Sequence, residues 1–245
     1  MASYNDKLID SLATRIQLFL FWKSFDKEVI KTEDIANYID EIEKFEITND
    51  LANLYSNTYY QTKLKEKREI SFNDKNAYVD NICKNIPSKT KIKELSRNEL
   101  KPLKDKYKEK FEKIFPLKEF ENMTKSKTTC SYCGISLAQI EELGKNGKLN
   151  NKRSDTRGYT LEIDRMLPNL EYSKKNCCMA CYWCNNAKTD EFSPEEFKPI
   201  AEGIRKTWNE RLKAIGYSEE EIKDVPDPEI WNTKFDTSME PDIEK

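Results

Sequence analysis

The sequence predicts an α+β fold that is predominantly helical: an N-terminal helical region, a small zinc-stapled finger of two strands and a helix, and a C-terminal helix. Three observations carry that prediction. Charged residues make up 35% of the chain and apolar ones only 37%, a balance that suits long helices with narrow apolar stripes and solvated outer faces. Two Cys-x-x-Cys pairs, Cys130/Cys133 and Cys181/Cys184, stand far apart in the chain. That is the spacing of a four-cysteinate zinc site, in which each pair takes one side of a tetrahedral ion. Between the pairs, Leu161 and Ile163 alternate with polar positions over residues 159–166, the period of a strand.

A chain of 245 residues is long enough for one large domain or two modest ones. Its formal charge of -2 excludes a uniformly basic coat, but the charge is segregated. Lysines dominate residues 89–127, basic residues recur over 145–165, and carboxylates dominate 219–244. A basic middle that contains the finger is compatible with a nucleic-acid partner. The seven cysteines are odd in number, and four of them have zinc spacing, so a secreted disulfide framework is a poor fit. The amino terminus lacks the basic-then-apolar pattern of a signal peptide, and the most apolar run, residues 16–25, is too short and interrupted to span a bilayer. A soluble, cytoplasmic protein with no membrane partner is expected.

Taken in order, Leu8, Leu12, Ile16, Phe19 and Leu20 recur at helical spacing over residues 5–25, and Phe21, Trp22 and Phe25 widen that apolar face as packing core or as a partner-binding patch. Thr32 is placed to cap a second helix bearing Ile35, Ile39, Ile42 and Phe45. A third opens at 48–50 and carries Leu51, Leu54, Tyr55 and Tyr59. A fourth restarts at 71–74, runs through Tyr78, Val79 and Ile82 with Cys83 as a small core residue, and stops before Pro87. Over residues 88–127, apolar positions such as Leu95, Leu103, Tyr107 and Phe111 are set among lysines. That pattern fits the solvated face of amphipathic helices or a surface that tracks phosphates. Polar residues at 123–129 mark a boundary. The expected domains are a helical one over 1–125 for partner or nucleic-acid binding, the finger with its following helix over 126–217, and an acidic tail over 218–245.

After Cys133, residues 135–143 predict a short helix stopped by Gly144. Residues 145–158 read as an exposed basic loop, in which Lys152, Arg153 and Arg157 are suited to contact phosphates. Pro168 breaks the first strand, residues 176–182 supply the second, and 184–188 begin the finger helix. The run Ser193, Pro194, Glu195, Glu196 combines an N-cap, a first-turn proline and a capping-box glutamate. Phe197, Ile200, Ile204, Trp208 and Leu212 line the helix that it starts. Beyond Pro226 the chain is acidic and carries no structural signal.

Four thiolates close a coordination sphere, so the zinc is predicted to be structural. Asp164, at the end of the first strand, and Asn185, just past the last cysteine, are hard oxygen donors suited to Mg2+ or Mn2+. The same residue types also make strand-end turns and helix caps.

At these positions the chain resembles the HNH endonuclease family (ββα-metal, or His-Me finger), in its four-cysteine zinc branch. The matching residues are Cys130, Cys133, Gly134, Asp164, Asn176, Cys181, Cys184, Asn185 and Lys188, spread over roughly a quarter of the chain. The resemblance implies a finger that hydrolyses phosphodiester bonds in nucleic acid, with DNA the expected substrate, in a phage, mobile-element or defence setting. It also implies that Asp164 and Asn185 hold a catalytic Mg2+ or Mn2+, that Asn176 ties the hairpin loop through backbone hydrogen bonds, and that Lys188 meets a phosphate.

Arg165 stands where the family places its general-base histidine, and the chain contains no histidine. A guanidinium stays protonated and cannot take a proton from water, but it can grip a phosphate bidentately. The base would then be Glu162, Tyr159, Tyr172 or water on the ion itself. One reading is an endonuclease with an altered base, in which Asp164, Arg165, Asn176 and Asn185 carry catalysis. The alternative is a catalytically inactive, zinc-stabilised nucleic-acid-binding or protein-interaction module. In either, Arg165, Lys188, Lys152, Arg153 and Arg157 would grip nucleic acid, and the helical region would offer a surface to a protein partner.

Overall fold

Helices dominate the structure, a computed structural model that describes residues 3–25, 30–68, 85–149, 158–222, 225 and 228–232. A single two-stranded antiparallel sheet accompanies them among the described residues, so the fold is α+β and predominantly helical, as the sequence predicts. Two units divide the chain. One is formed chiefly by Ala2–Phe115 together with Asn169–Ser173, and the other by Pro116–Pro168 and Lys174–Lys234. The division falls at Pro116 rather than in the polar stretch at 123–129. The reason is the helix Leu117–Ser126, which packs on both strands and buries Phe120.

The helical unit is built around α1 (Tyr4–Phe25). Leu8, Leu12, Ile16, Phe19, Leu20 and Phe21 are buried as expected, whereas Trp22 is exposed and Phe25 half-buried; every residue from Lys7 to Phe21 except Asp10 is buried as well. A single stripe was expected; instead α1 is enclosed by α2 (Ile39–Lys44), α3 (Asn49–Arg68), α4 (Lys89–Asn98) and α5 (Lys101–Ile114). Burying its polar residues requires partners for them, and each has one. Arg15 Nε and Nη2 donate to Glu171 at 2.9 and 3.0 Å, and its Nη1 donates to the carbonyl of Ile42 at 3.1 Å. Gln17 donates to the carbonyl of Pro87 at 3.1 Å. Ser11 Oγ accepts from the Tyr172 amide at 2.8 Å, and Lys7 Nζ donates to the Tyr172 hydroxyl at 3.0 Å. Residues Asn169–Ser173 are thus core members of this unit.

The remaining elements of this unit follow their local signals with shifts of a few residues. Lys31, not Thr32, precedes a 3-10 turn over Thr32–Tyr38 that leads into α2. Thr48 Oγ1 accepts from the Leu51 amide and caps α3. The helix expected over 71–82, with Cys83, lies outside the described residues. The lysine-rich stretch resolves into α4, α5 and α6 (Leu117–Ser126). Ile92, Leu95, Leu103, Tyr107 and Phe111 turn inward, while Lys106 pairs with Asp40 and Lys110 donates to the carbonyl of Glu43. That is the solvated-face arrangement of amphipathic helices.

In the second unit, α7 (Leu137–Lys145) starts at a capping box between Ser136 and Gln139. Strand β1 (Leu161–Arg165) pairs antiparallel with β2 (Cys177–Cys181), from Leu161 opposite Cys181 to Arg165 opposite Cys177. Helix α8 (Tyr182–Lys188) follows at once, and α9 (Pro194–Lys213) begins at the expected capping box of Ser193 and Glu196. The buried face of α9 is Phe197, Ala201, Arg205, Trp208 and Leu212, whereas Ile200 is exposed. Stepping by four and three from Phe197 keeps one face, and that series passes through Ala201 and Arg205. In the tail, where no structure was expected, a 3-10 turn over Pro228–Asn232 buries Trp231 with its ring 5.8 Å from that of Tyr132. No helix among the described residues is long and apolar enough to cross a membrane.

Candidate metal centre and hairpin site

The first cysteine pair sits on a tight turn. Cys130 donates its amide to the carbonyl of Ile135 at 2.9 Å, and Gly134 donates back to the carbonyl of Cys130 at 3.0 Å. Gly134 takes a φ of 71°, a left-handed conformation that costs glycine little and other residues more. The Ser131 amide donates to the carbonyl of Met179 at 2.8 Å, docking the turn onto β2. The second pair straddles the end of that strand. Cys181 closes β2 and caps α8, its sulfur accepting from the Cys184 amide at 3.5 Å.

These two local structures bring the Sγ atoms of Cys130, Cys133, Cys181 and Cys184 within 4.8 Å of one another, all four residues buried. Cys133 Sγ and Cys181 Sγ are 3.8 Å apart, the edge of a tetrahedron whose metal–sulfur distance is about 2.3 Å. The donor set and its dimensions fit a metal ion such as zinc. Burial opposes ionising Cys130, but the neighbouring thiols of Cys133, Cys181 and Cys184 outweigh it and hold Cys130 well below the usual thiol range. Contacts led by Cys130 push Cys181 and Cys184 upward. Cysteine binds a metal as the thiolate, so a cation at the centre would favour ionisation of all four sulfurs. Cys177 and Cys178 are buried outside this cluster.

Beyond the cysteines, two pairs of side chains form the seam between β1 and α8. Strand residues alternate faces, so Glu162 and Asp164 share one face of β1, and Leu161, Ile163 and Arg165 the other. Helix residues three apart share a face, so Asn185 and Lys188 lie together on α8. Asn185 Nδ2 donates to Glu162 Oε2 at 2.5 Å. Lys188 Nζ lies 3.3 Å from Asp164 Oδ2 and donates to the carbonyl of Arg165 at 3.0 Å. From the first cysteine turn, the Tyr132 hydroxyl donates to the same Asp164 Oδ2 at 2.6 Å. Burial raises the Asp164 pKa, while Lys188 and Tyr132 act in the opposite sense. Tyr132 is pushed far above the usual phenol range by burial and then by Cys178 and Asp164.

The expected site residues are distributed as follows. Asp164 and Asn185 both belong to the β1–α8 seam, but the partner of Asn185 is Glu162. Lys188, expected to meet a phosphate, is completely buried and its ammonium is committed to Asp164 and the strand backbone. The cause is the packing of the last turn of α8 on β1. Asn176 brackets Leu167, with Oδ1 accepting from its amide and Nδ2 donating to its carbonyl, both at 2.9 Å. The Met166 amide donates to the Asn176 carbonyl at 2.8 Å, so this residue closes the hairpin through backbone bonds.

Arg165 is half-buried and lies across from Cys177, and its charge opposes the rise that burial causes in the Asp164 pKa. Tyr159 is 41% exposed, and its ring lies so close over Gly144 that a Cβ there would fall 2.6 Å from its hydroxyl. Tyr172 is buried in the helical unit, where its hydroxyl accepts from Lys7 Nζ. Lys152, Arg153 and Arg157 lie outside the described residues. Sequence reasoning missed Tyr132, whose only signal is an aromatic side chain inside the first cysteine turn. Scans against protein-family models, curated proteins and solved structures returned no significant match to this chain.

Proposed function

We propose that the chain is an HNH-like, metal-dependent endonuclease that hydrolyses phosphodiester bonds in nucleic acid, with DNA as its substrate. The observation that supports this reading most is a four-cysteine cluster that ties the Cys130–Cys133 turn to the end of β2 and the start of α8, with Asp164 on β1, the strand paired to β2, and Asn185 on α8. A divalent Mg2+ or Mn2+ bound there would supply Lewis-acid stabilisation of the charge that develops on the phosphate. Both contacts of Asp164 fall on Oδ2, so Oδ1 is the oxygen it offers to such an ion. Asn185 offers its amide oxygen. Arg165 stays protonated and draws the phosphate by charge, and Asn176 holds the hairpin loop in register. The helical unit is the surface to which a protein partner would bind.

The test is plasmid cleavage by zinc-loaded protein in Mg2+ or Mn2+, with an Asp164→Ala protein alongside. The parent is expected to nick or cut the plasmid and the variant to lose that activity on the order of 100-fold or more. Equal cleavage by both would remove Asp164 from the reaction. A second reading, a zinc-stabilised binding module that does not cut, is favoured by one observation: the ammonium of Lys188 already lies against Asp164. Retarded migration of DNA with no cleavage in either metal would select it.

A further inference from the structure

Resting on the reading that the β1–α8 seam holds a divalent ion, we infer that Glu162 is a positioning residue, one that orients the Asn185 amide as an oxygen ligand. The argument starts from hydrogen-bond capacity. An ionised carboxylate only accepts, so the side of the Asn185 amide that meets Glu162 Oε2 must be the nitrogen. The amide is planar, and fixing its nitrogen on Glu162 turns Oδ1 away from that carboxylate and presents it to an ion. Without such a partner a primary amide can turn over and present nitrogen, which is no ligand for Mg2+ or Mn2+. Groups that orient a metal ligand in this way are commonly worth about 10–100-fold in metal affinity.

The arrangement is anchored from both sides. Glu162 lies on β1 opposite Ala180, whose side chain carries no hydrogen-bonding group. Asn185 lies in a helix whose start is set by two of the four cysteines. Glu162 and Asp164 stand two residues apart on the strand, as Asn185 and Lys188 stand three apart on the helix, and each strand carboxylate has its own helix partner. The pairing assigns the two carboxylates different work: Asp164 offers an oxygen, while Glu162 orients the oxygen of its neighbour. This assignment takes Glu162 out of the role of general base.

Glutamine at 162 separates the two roles, since it keeps an acceptor for the Asn185 amide and has no basicity. The experiment measures Mn2+ binding to zinc-loaded, full-length protein by the electron paramagnetic resonance of free Mn2+, with plasmid cleavage on the same samples. Glu162→Ala is expected to weaken Mn2+ binding about tenfold or more, and Glu162→Gln to stay within about threefold of the parent and still cut. Zinc content shows that the unit is intact, and Glu162→Met replaces the alanine protein if that one loses zinc. Two results overturn the role of Glu162 alone, in a parent that binds Mn2+ and cuts: Glu162→Ala binding as tightly as the parent, or Glu162→Gln as damaged as Glu162→Ala in binding or cleavage. A parent that binds no Mn2+ overturns the endonuclease reading, and this role with it.

Discussion

Tyr132 donates its hydroxyl to Asp164 Oδ2 at 2.6 Å, so the turn that carries the first two cysteines also holds the carboxylate at the end of β1. Tyr132→Phe removes this bond and keeps the ring contacts with Phe197 and Trp231 at 5.3 and 5.8 Å. A buried hydrogen bond to a charged group is worth about 1.5–3 kcal/mol. Urea unfolding of the zinc-loaded variant is expected to show a loss of that order. A midpoint equal to the parent's would mean that Lys188 alone satisfies Asp164.

The Asp164–Lys188 pair is buried, and breaking such a pair from one side costs about 3–5 kcal/mol because the other charge is stranded. Lys188→Met is therefore expected to be more destabilising than the double variant Lys188→Met/Asp164→Asn, in which neither charge remains. A double-mutant cycle by urea unfolding measures the difference. Strictly additive losses would show that the two groups are not coupled, against the 3.3 Å separation.

The parts of this site legible in the sequence are those set by local spacing. Cysteine pairs two residues apart, alternation at Leu161 and Ile163, and the capping run at Ser193 are all short-range signals, and each element appears close to where it was expected. What spacing does not carry is how α8 crosses β1. That crossing pairs Glu162 with Asn185 and buries Lys188, which from sequence alone looks like a surface lysine. Glu171 is a similar case. It lies in a polar linker between the strands, yet it is the carboxylate that balances Arg15 in the core of the other unit. Trp231 was overlooked because its neighbours are acidic, although one large apolar side chain is enough to hold a short turn onto α9.

Alkaline pH should weaken the helical unit through Tyr107. Its hydroxyl donates to Glu171 Oε1 at 2.6 Å, and its pKa is raised well above the phenol range by burial and then by the Glu171 carboxylate. In the unfolded chain the same phenol loses its proton near pH 10. The stabilisation is therefore complete below about pH 10 and falls as pH rises beyond it, by at most about 1.4 kcal/mol per pH unit for one proton. Urea midpoints measured from pH 8 to beyond pH 10 are expected to decline, and less steeply in Tyr107→Phe. Some decline persists in the variant because Tyr4, pushed up to about 12 by burial and by Glu112, acts with the same sign.

Zinc should be needed for the hairpin seam as well as for the fold of its unit. Structural zinc binds with an apparent free energy of roughly 10–16 kcal/mol in small fingers, more than the usual stability of a whole domain. Cys133→Ser and Cys184→Ser are each expected to lose the ion, while Cys177→Ser keeps it, since that sulfur lies outside the cluster. Zinc analysis of the purified proteins measures this directly, and retention by Cys184→Ser would break the four-ligand assignment. Tryptophan signals provide a second readout. Trp183 lies inside the second cysteine pair with its ring 4.7 Å from that of Trp208, so near-ultraviolet circular dichroism should change when the ion is removed. Because Cys181 caps α8, which carries both Asn185 and Lys188, losing zinc is also expected to free the partners of Glu162 and Asp164. The Mn2+ binding proposed at the seam is accordingly expected to disappear in the same variants that lose zinc, and to survive in Cys177→Ser.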